Sequence, residues 1–393
     1  MRKVYLDHIA ATPLHPEALE TMLPYLKENF GNPQSLHSAG QQAQQAMEEA
    51  RENVARLIHA QAAEIFFTSS GSESNNFAVK GLALAQKSQG KHIVLSSIEH
   101  QSVLHSAKSL EKFGYTVSLV PVDKFGRVAP EDVRKAITSD TVLVSVMLAN
   151  SEVGTIQPVK EIAEACREQE VLFHTDAVAA VGSIPVDVTE LGVDALSLAG
   201  NQFYGPKGSA ALFVKKGTRI LPFIDGGIQE GGRRAGTEDV AAIVGLGKAA
   251  EIARRDWKKR QDKVLPLRDR LIEELPQRVE HVFFTGHPET RLPHHASFCI
   301  EFIEGEAMLL NLDMQGISAS SGSACTSRAL KASHVLLAMG IDHALAQGSL
   351  VFSLVEDTTA EDIEYFLEVF PPIIERLRKM SPLYTQYLEE KKK

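Results

Sequence analysis

The stretch DALSLAGNQFYGPKGSAALFV, residues 194–214, sets two short apolar runs on either side of a loop holding Gly200, Gly205, Pro206 and Gly208. The runs are too short for helices and are bounded by turn formers, so they read as strands. Upstream, runs of the same kind recur as EIFFTSS, KHIVLSS, TVSLVPV, TVLVSVMLAN and VLFHTDA. Helix-like segments such as SESNNFAVKGLALAQ and PVKEIAEACREQ lie between most of them. Alternation of this kind predicts an α/β fold, with a mainly parallel sheet between helices.

The N-terminal third adds helical spacing in HPEALETMLPYLKENF and SAGQQAQQAMEEARENVARLI, with Ser38 expected to cap the second. Around residues 238–275 the pattern becomes one long helical stretch, in which Pro266 is expected to break or kink the helix. Fewer strands and more helices follow, which predicts a smaller α+β domain. The expected division is a large domain at 15–255 and a small one built from 1–14 and 256–393.

A net charge of -9 over 393 residues, without a basic block, argues against nucleic acid or an anionic membrane as partner. Cys166, Cys299 and Cys325 are too few and too scattered for a disulfide framework. The N-terminus lacks the apolar core of a signal peptide and no long apolar run occurs, so the expectation is a cytoplasmic protein.

In an open α/β sheet ligands bind beyond the carboxyl ends of the strands, and several polar clusters fall there. TSSGSES (68–74) follows a strand and opens a helix, so Gly71, Ser72 and nearby amides suit a phosphate; alone it reads more readily as a capped turn. His100 ends SSIEH, and Asp176 in HTDA is placed either to hold a pyridinium nitrogen or to cap a helix.

The motifs YLDHIAATPLHPEAL, FGNPQSLHSAG, FTSSGSESNN, EVGTIQP, YGPKG, GTED and SSGSACTS occur in order along the whole chain. With them the sequence resembles the cysteine desulfurases of iron–sulfur cluster assembly, in the class V aminotransferase group of pyridoxal phosphate (PLP) proteins. The resemblance implies PLP fold type I, a homodimer, and a cysteine that takes sulfur as a persulfide. Matched residue by residue, it gives Gly71 and Ser72 to the phosphate loop and His100 to the stacking imidazole. Asp176 matches the pyridinium partner, Thr237 a phosphate contact across the dimer, and Cys325 the sulfur carrier.

The departures carry as much chemistry. The family's Ser-Gly-His-Lys before YGPKG is here Ala199, Gly200, Asn201 and Gln202. The lysine that would bind PLP covalently is thus an amide, whose nitrogen lone pair is delocalised and serves neither as nucleophile nor as base. Lys207 lies five positions on, past a proline, and is not expected to replace it. Ala179, Ser151, Ile228 and Gly231 also depart from the pattern. Val351 stands where the family places an arginine for the substrate carboxylate, and offers no donor.

Cys325 keeps an intact, Ser- and Gly-rich loop, whereas Cys166 and Cys299 sit in apolar patterns that suit buried thiols. The leading expectation is a desulfurase-like homodimer without lysine-bound PLP, serving iron–sulfur or sulfur assembly with a scaffold protein. Cys325 would accept sulfur from a donor, or ligate a shared iron–sulfur cluster. A second reading is an enzyme of altered chemistry holding PLP non-covalently through Ser72, His100, Asp176 and Thr237, beside Asn201 and Gln202. A third is a non-catalytic partner of a true desulfurase.

Overall fold

All seven apolar runs of the first two-thirds become strands of one sheet. The structure, a computed structural model, describes residues 2–322 and 332–391. In chain order the strands are β1 (Val4–Tyr5), β2 (Ile65–Thr68), β3 (His92–Ser96), β4 (Thr116–Val120), β5 (Thr141–Ser145) and β6 (Leu172–Asp176). They continue as β7 (Ala195–Ala199), β8 (Ala210–Val214), β9 (Val282–Phe284), β10 (His295–Ile300), β11 (Ile317–Ser318) and β12 (Ser349–Ser353). The large sheet has the order β2-β8-β7-β6-β5-β3-β4. Only β8 runs antiparallel to its neighbours. The expected α/β architecture of PLP fold type I is therefore present.

Why the strands read as unbroken apolar runs is visible in β2. Ile65 and Phe67 pack with Met47, Ala50 and Leu246 on one face, while Phe66 packs with Phe77 and Leu82 on the other. With both faces covered by helices, alternation disappears from the sequence. Burying each such phenylalanine contributes about 1.5–3 kcal/mol.

A second, three-stranded sheet has the order β12-β10-β9, with its own core of Phe298, Phe352, Phe366 and Phe370. The helix Val240–Arg278 serves both cores: Ile243, Leu246 and Ala250 pack under the large sheet, and Val264, Leu271 and Leu275 in the second cluster. The expected division at 255/256 thus falls inside a continuous helix.

Of the two outcomes expected at Pro266, the break does not occur, and the helix runs through it. Buried Val264 on one side and Leu271 and Leu275 on the other offset the roughly 3 kcal/mol that an interior proline costs. The cap of the helix Ser38–Leu57 is His37 rather than Ser38: its extended backbone lets Nδ1 accept from the Gly40 amide at 3.2 Å. Among the described residues no helix is long and apolar enough to cross a membrane.

Candidate functional site

The carboxyl ends of β2, β3, β6 and β7 bring most of the expected site residues to one edge of the large sheet. After β2, Ser70 caps the helix Gly71–Ala85 by accepting from the Glu73 amide at 3.1 Å. A methyl group on Gly71 would stand 2.6 Å from Val178 Cγ2, so only glycine lets this turn approach the segment after Asp176. Ser72 is exposed in the first turn, where free amides favour an anion. Glu73 is tied back, accepting from the Ser69 amide at 2.8 Å and from Arg234 Nε at 2.8 Å.

Asp176 ends β6 with its carboxylate buried. One oxygen accepts from the Val178 amide at 3.0 Å and the other from Asn75 Nδ2 at 2.6 Å. Asn75 Nδ2 also donates to Ser102 Oγ at 2.9 Å, and Ser102 Oγ lies 2.7 Å from His100 Nδ1. The Ser102 amide donates to the same ring nitrogen, which makes Nδ1 an acceptor and leaves the ring proton on Nε2. Asp176 and His100, predicted separately, are thus joined through two residues that the sequence did not single out. Burial pushes the Asp176 carboxyl above its ordinary value, opposed by His100 and by its donors.

After β7 the chain turns through Gly200–Gln202. Gln202 Nε2 donates to the Ile9 carbonyl at 2.8 Å, and Asn201 Nδ2 contacts the Ala10 carbonyl at 3.5 Å. The Asn201 carbonyl in turn accepts from the Thr12 amide and hydroxyl. Both polar side chains are therefore spent on stitching this loop to the N-terminal segment. Lys207 is exposed on the following turn.

A cavity of about 280 Å³, open to the centre of a water molecule, lies beside His100 and is bordered by Ile9, Ile98, Met147 and Val351. Val351 is buried in β12, paired with Ser320 through both backbone groups. Three carboxyl groups border the same cavity: Asp7, Glu99 and Glu152. Burial raises Asp7, and pushes Glu99 up to about 8 and Glu152 up to about 7. Glu99 Oε1 accepts from Ser96 at 2.5 Å and from the Met147 amide at 2.8 Å, and Glu152 accepts from Ser333. No lysine or arginine is among the described residues bordering it.

Thr237 is exposed, away from this network, on the segment before the helix Val240–Arg278. That segment is anchored by Glu230, which Arg51 grips with two bonds of 2.8 Å and to which the Phe67 amide donates. Cys325 lies outside the described residues. Cys166 and Cys299 are buried, which pushes both thiols up to about 12. Among the described residues no cluster of His, Cys, Asp or Glu is arranged to hold a metal ion.

The family model described as aminotransferase class V matches residues 4–366. A cysteine desulfurase IscS of Dictyoglomus turgidum is 48% identical over 391 residues, covering 100% of this chain and 99% of the relative. The chain belongs to the cysteine desulfurase family. A cysteine desulfurase IscS of Methanosarcina thermophila is 50% identical over 382 residues, with 97% of this chain and 94% of the relative covered. Among solved structures, a NifS-like protein superposes with a TM-score of 0.90 at 37% identity, over 96% of this chain and 100% of the other. One from Rickettsia africae gives 0.86 at 31%, over 95% and 100%.

Cysteine desulfurases are PLP proteins, and the residues of this chain fit the cofactor's polar groups. Asp176 is a buried carboxylate with no cationic side chain bonded to it among the described residues, which suits a protonated pyridine nitrogen. The buried Asn75 Oδ1 makes no bond among the described residues. The first turn at Gly71 and Ser72 suits the phosphate. What the set lacks is an amine at 202.

Proposed function

We propose that this desulfurase-family protein serves iron–sulfur or sulfur assembly through Cys325, without lysine-bound PLP and without ordinary sulfide release from cysteine. The observation that carries the reading is Gln202, an amide bonded to the Ile9 carbonyl in the loop where the family places its lysine. Val351 and the lack of any lysine or arginine among the described residues around the adjoining cavity support it, because nothing there pairs with the carboxylate of an amino acid. Cys325 acts as sulfur carrier or as one thiolate ligand of a cluster shared with a scaffold protein. A reducing, cytoplasmic setting suits a free thiol. Exposed Leu26, Phe30, Leu36 and Ile228 supply apolar surface for a second copy of the chain.

A second reading is favoured by the tie from Asp176 through Asn75 and Ser102 to His100, which has the donors and geometry to orient a pyridine ring. Here PLP would be held non-covalently through Gly71, Ser72, His100 and Asp176, with Thr237 reaching the phosphate across the dimer. The cofactor supplies an electron sink for a carbanion beside the substrate nitrogen. Asp176 keeps the ring nitrogen protonated, and His100 covers the ring. An absorbance spectrum of the purified protein separates the readings. Free-PLP absorption supports the second, and cluster bands after anaerobic reconstitution with a scaffold support the first. A lysine-linked cofactor band overturns both.

A further inference from the structure

A separate cavity lies on the other side of the Gln202 loop, between that loop, the helix Val240–Arg278 and the segment after β12. About 40 Å³ of it is open to the centre of a water molecule, and Gln202, Tyr204, Trp257, Arg260, His294 and Glu356 are on its wall. Arg260 is only 7% exposed, yet none of its three nitrogens makes a hydrogen bond among the described residues. Its ion-pair partner Glu356 stands 3.4 Å from Nε, and the guanidinium lies over the Tyr204 ring at 4.2 Å. A buried guanidinium with its donors unmet costs several kcal/mol, so the donors point to a ligand that meets them.

The surroundings favour an anion. Burial holds the His8 and His294 imidazoles down to about 4, so near pH 7 both are neutral and Arg260 is the cation among the described residues of the wall. Buried Arg268 and Arg291 also act on His294, Arg268 being paired with Asp269 at 2.6 Å. The opposing carboxylates are Glu356, Asp357 and Asp256; Glu356 keeps 27% of its side chain in solvent, and Asp256 is paired with Arg255 at 2.8 Å. The space holds about three waters by volume, at roughly 10–15 Å³ per water centre. That admits a small planar oxyanion and excludes a nucleotide or a sugar phosphate. A guanidinium fork matches two oxygens of such an anion.

We infer that Arg260 forms a binding site for a small planar monoanion of the carboxylate or nitrate type, which ties the Gln202 loop to the long helix. Tyr204 shows how firmly that loop is held: it carries the left-handed φ of 67° without being glycine, and Thr12 Oγ1 accepts from its amide at 2.7 Å. The site does not depend on how, or whether, PLP is held.

Trp257 is the single tryptophan of the chain and reports on this cavity directly. Its fluorescence is to be titrated with sodium nitrate, ionic strength being kept constant with sulfate, and the titration repeated in formate. The expected result is a saturable quench, displaced by formate. Arg260→Gln is expected to lose the saturable phase and keep only the linear, collisional one. Arg260→Lys, which keeps the charge without the fork, is expected to retain a weakened phase and serves if the glutamine variant does not fold. A purely linear quench of the wild type, or a saturable phase unaltered by formate or in either folded variant, overturns the site.

Discussion

Gln202 Nε2 donates a hydrogen bond of 2.8 Å to the Ile9 carbonyl, which fixes the loop after β7 to the N-terminal segment. An amide in that place holds the loop and offers no nucleophile. The protein as purified is therefore expected to carry no covalent PLP and to release no sulfide from L-cysteine. Borohydride reduction followed by intact-mass measurement checks the first statement, and a mass gain of reduced PLP on any lysine contradicts it.

Gln202→Lys is expected to acquire covalent PLP and little desulfurase activity. Asp176 and His100 remain to orient the ring, but Val351 still offers nothing to a substrate carboxylate. Val351→Arg introduces a guanidinium among Asp7, Glu99 and Glu152, and a charge-assisted bond to substrate contributes about 1.5–3 kcal/mol. The two changes together should exceed the product of their separate effects, because each meets a different requirement of one reaction. Sulfide release measured for the four proteins of that cycle decides. High activity from the single Gln202 change shows that the arginine is dispensable.

Asn75→Leu removes both N–H donors of the tie between Asp176 and Ser102 and keeps the volume. Leaving a buried carboxylate short of a donor costs about 1–3 kcal/mol, so the urea midpoint should fall accordingly. Added PLP should bind roughly tenfold more weakly, since 1.4 kcal/mol is a factor of ten. Stability loss with unchanged PLP binding would assign Asn75 to the fold alone.

Much of the fold could be read from the sequence because both faces of the large sheet are covered, so each strand is a continuous apolar run with turn residues at its ends. The positions proposed for the site, as with Gly71, Ser72, His100 and Asp176, could be read from the motifs that carry them. The tie between them was not: Asn75 and Asp176 are 101 residues apart, and Asn75 sits in a helix where an asparagine reads as surface. Arg260 was hidden for a related reason. It ends the run DWKKR on a helix and looks like one more solvated cation, although the fold buries it against Tyr204. The break expected at Pro266 misled because local cost was weighed without the packing on either side of it.

Two sets of buried groups pull stability in opposite directions with pH. In the folded chain Glu99 titrates near 8, against 4.5 for an ordinary carboxyl. The folded state therefore holds a proton that the unfolded chain releases, and stability drops as pH rises from 4.5 to 8. His8, His174 and His294 are held down to about 4, 3 and 4, against 6.5. They bind protons on unfolding, so stability also drops as pH falls from 6.5 through those values. Glu152 titrates near 7, so between pH 7 and 8 Glu99 is the larger remaining contributor of the two. Glu99→Gln keeps an acceptor for Ser96 and Met147 and should remove a slope of up to about 1.4 kcal/mol per pH unit there. Unfolding free energies across that interval test it, and parallel curves for the two proteins contradict it.

Cys325 is where the proposed activity resides. The thiolate is the ligating form, and cluster lability follows ligand identity. Cys325→Ser changes one atom, so the unfolding midpoint should stay at that of the wild type. Mixed with a scaffold protein under anaerobic reconstitution, this variant should lose the cluster or hold it for a shorter time. Cys166→Ser and Cys299→Ser should leave cluster lifetime unchanged and lower stability instead, since each puts a hydroxyl where a thiol is buried in an apolar core. With a persulfide donor and no scaffold, wild type should gain one sulfur at Cys325 by mass, the donor's thiol leaving as the sulfane sulfur moves. A Cys325→Ser protein that holds a cluster as long as wild type removes the ligand role. If wild type also gains no sulfur, the chain acts only as a non-catalytic partner of another desulfurase.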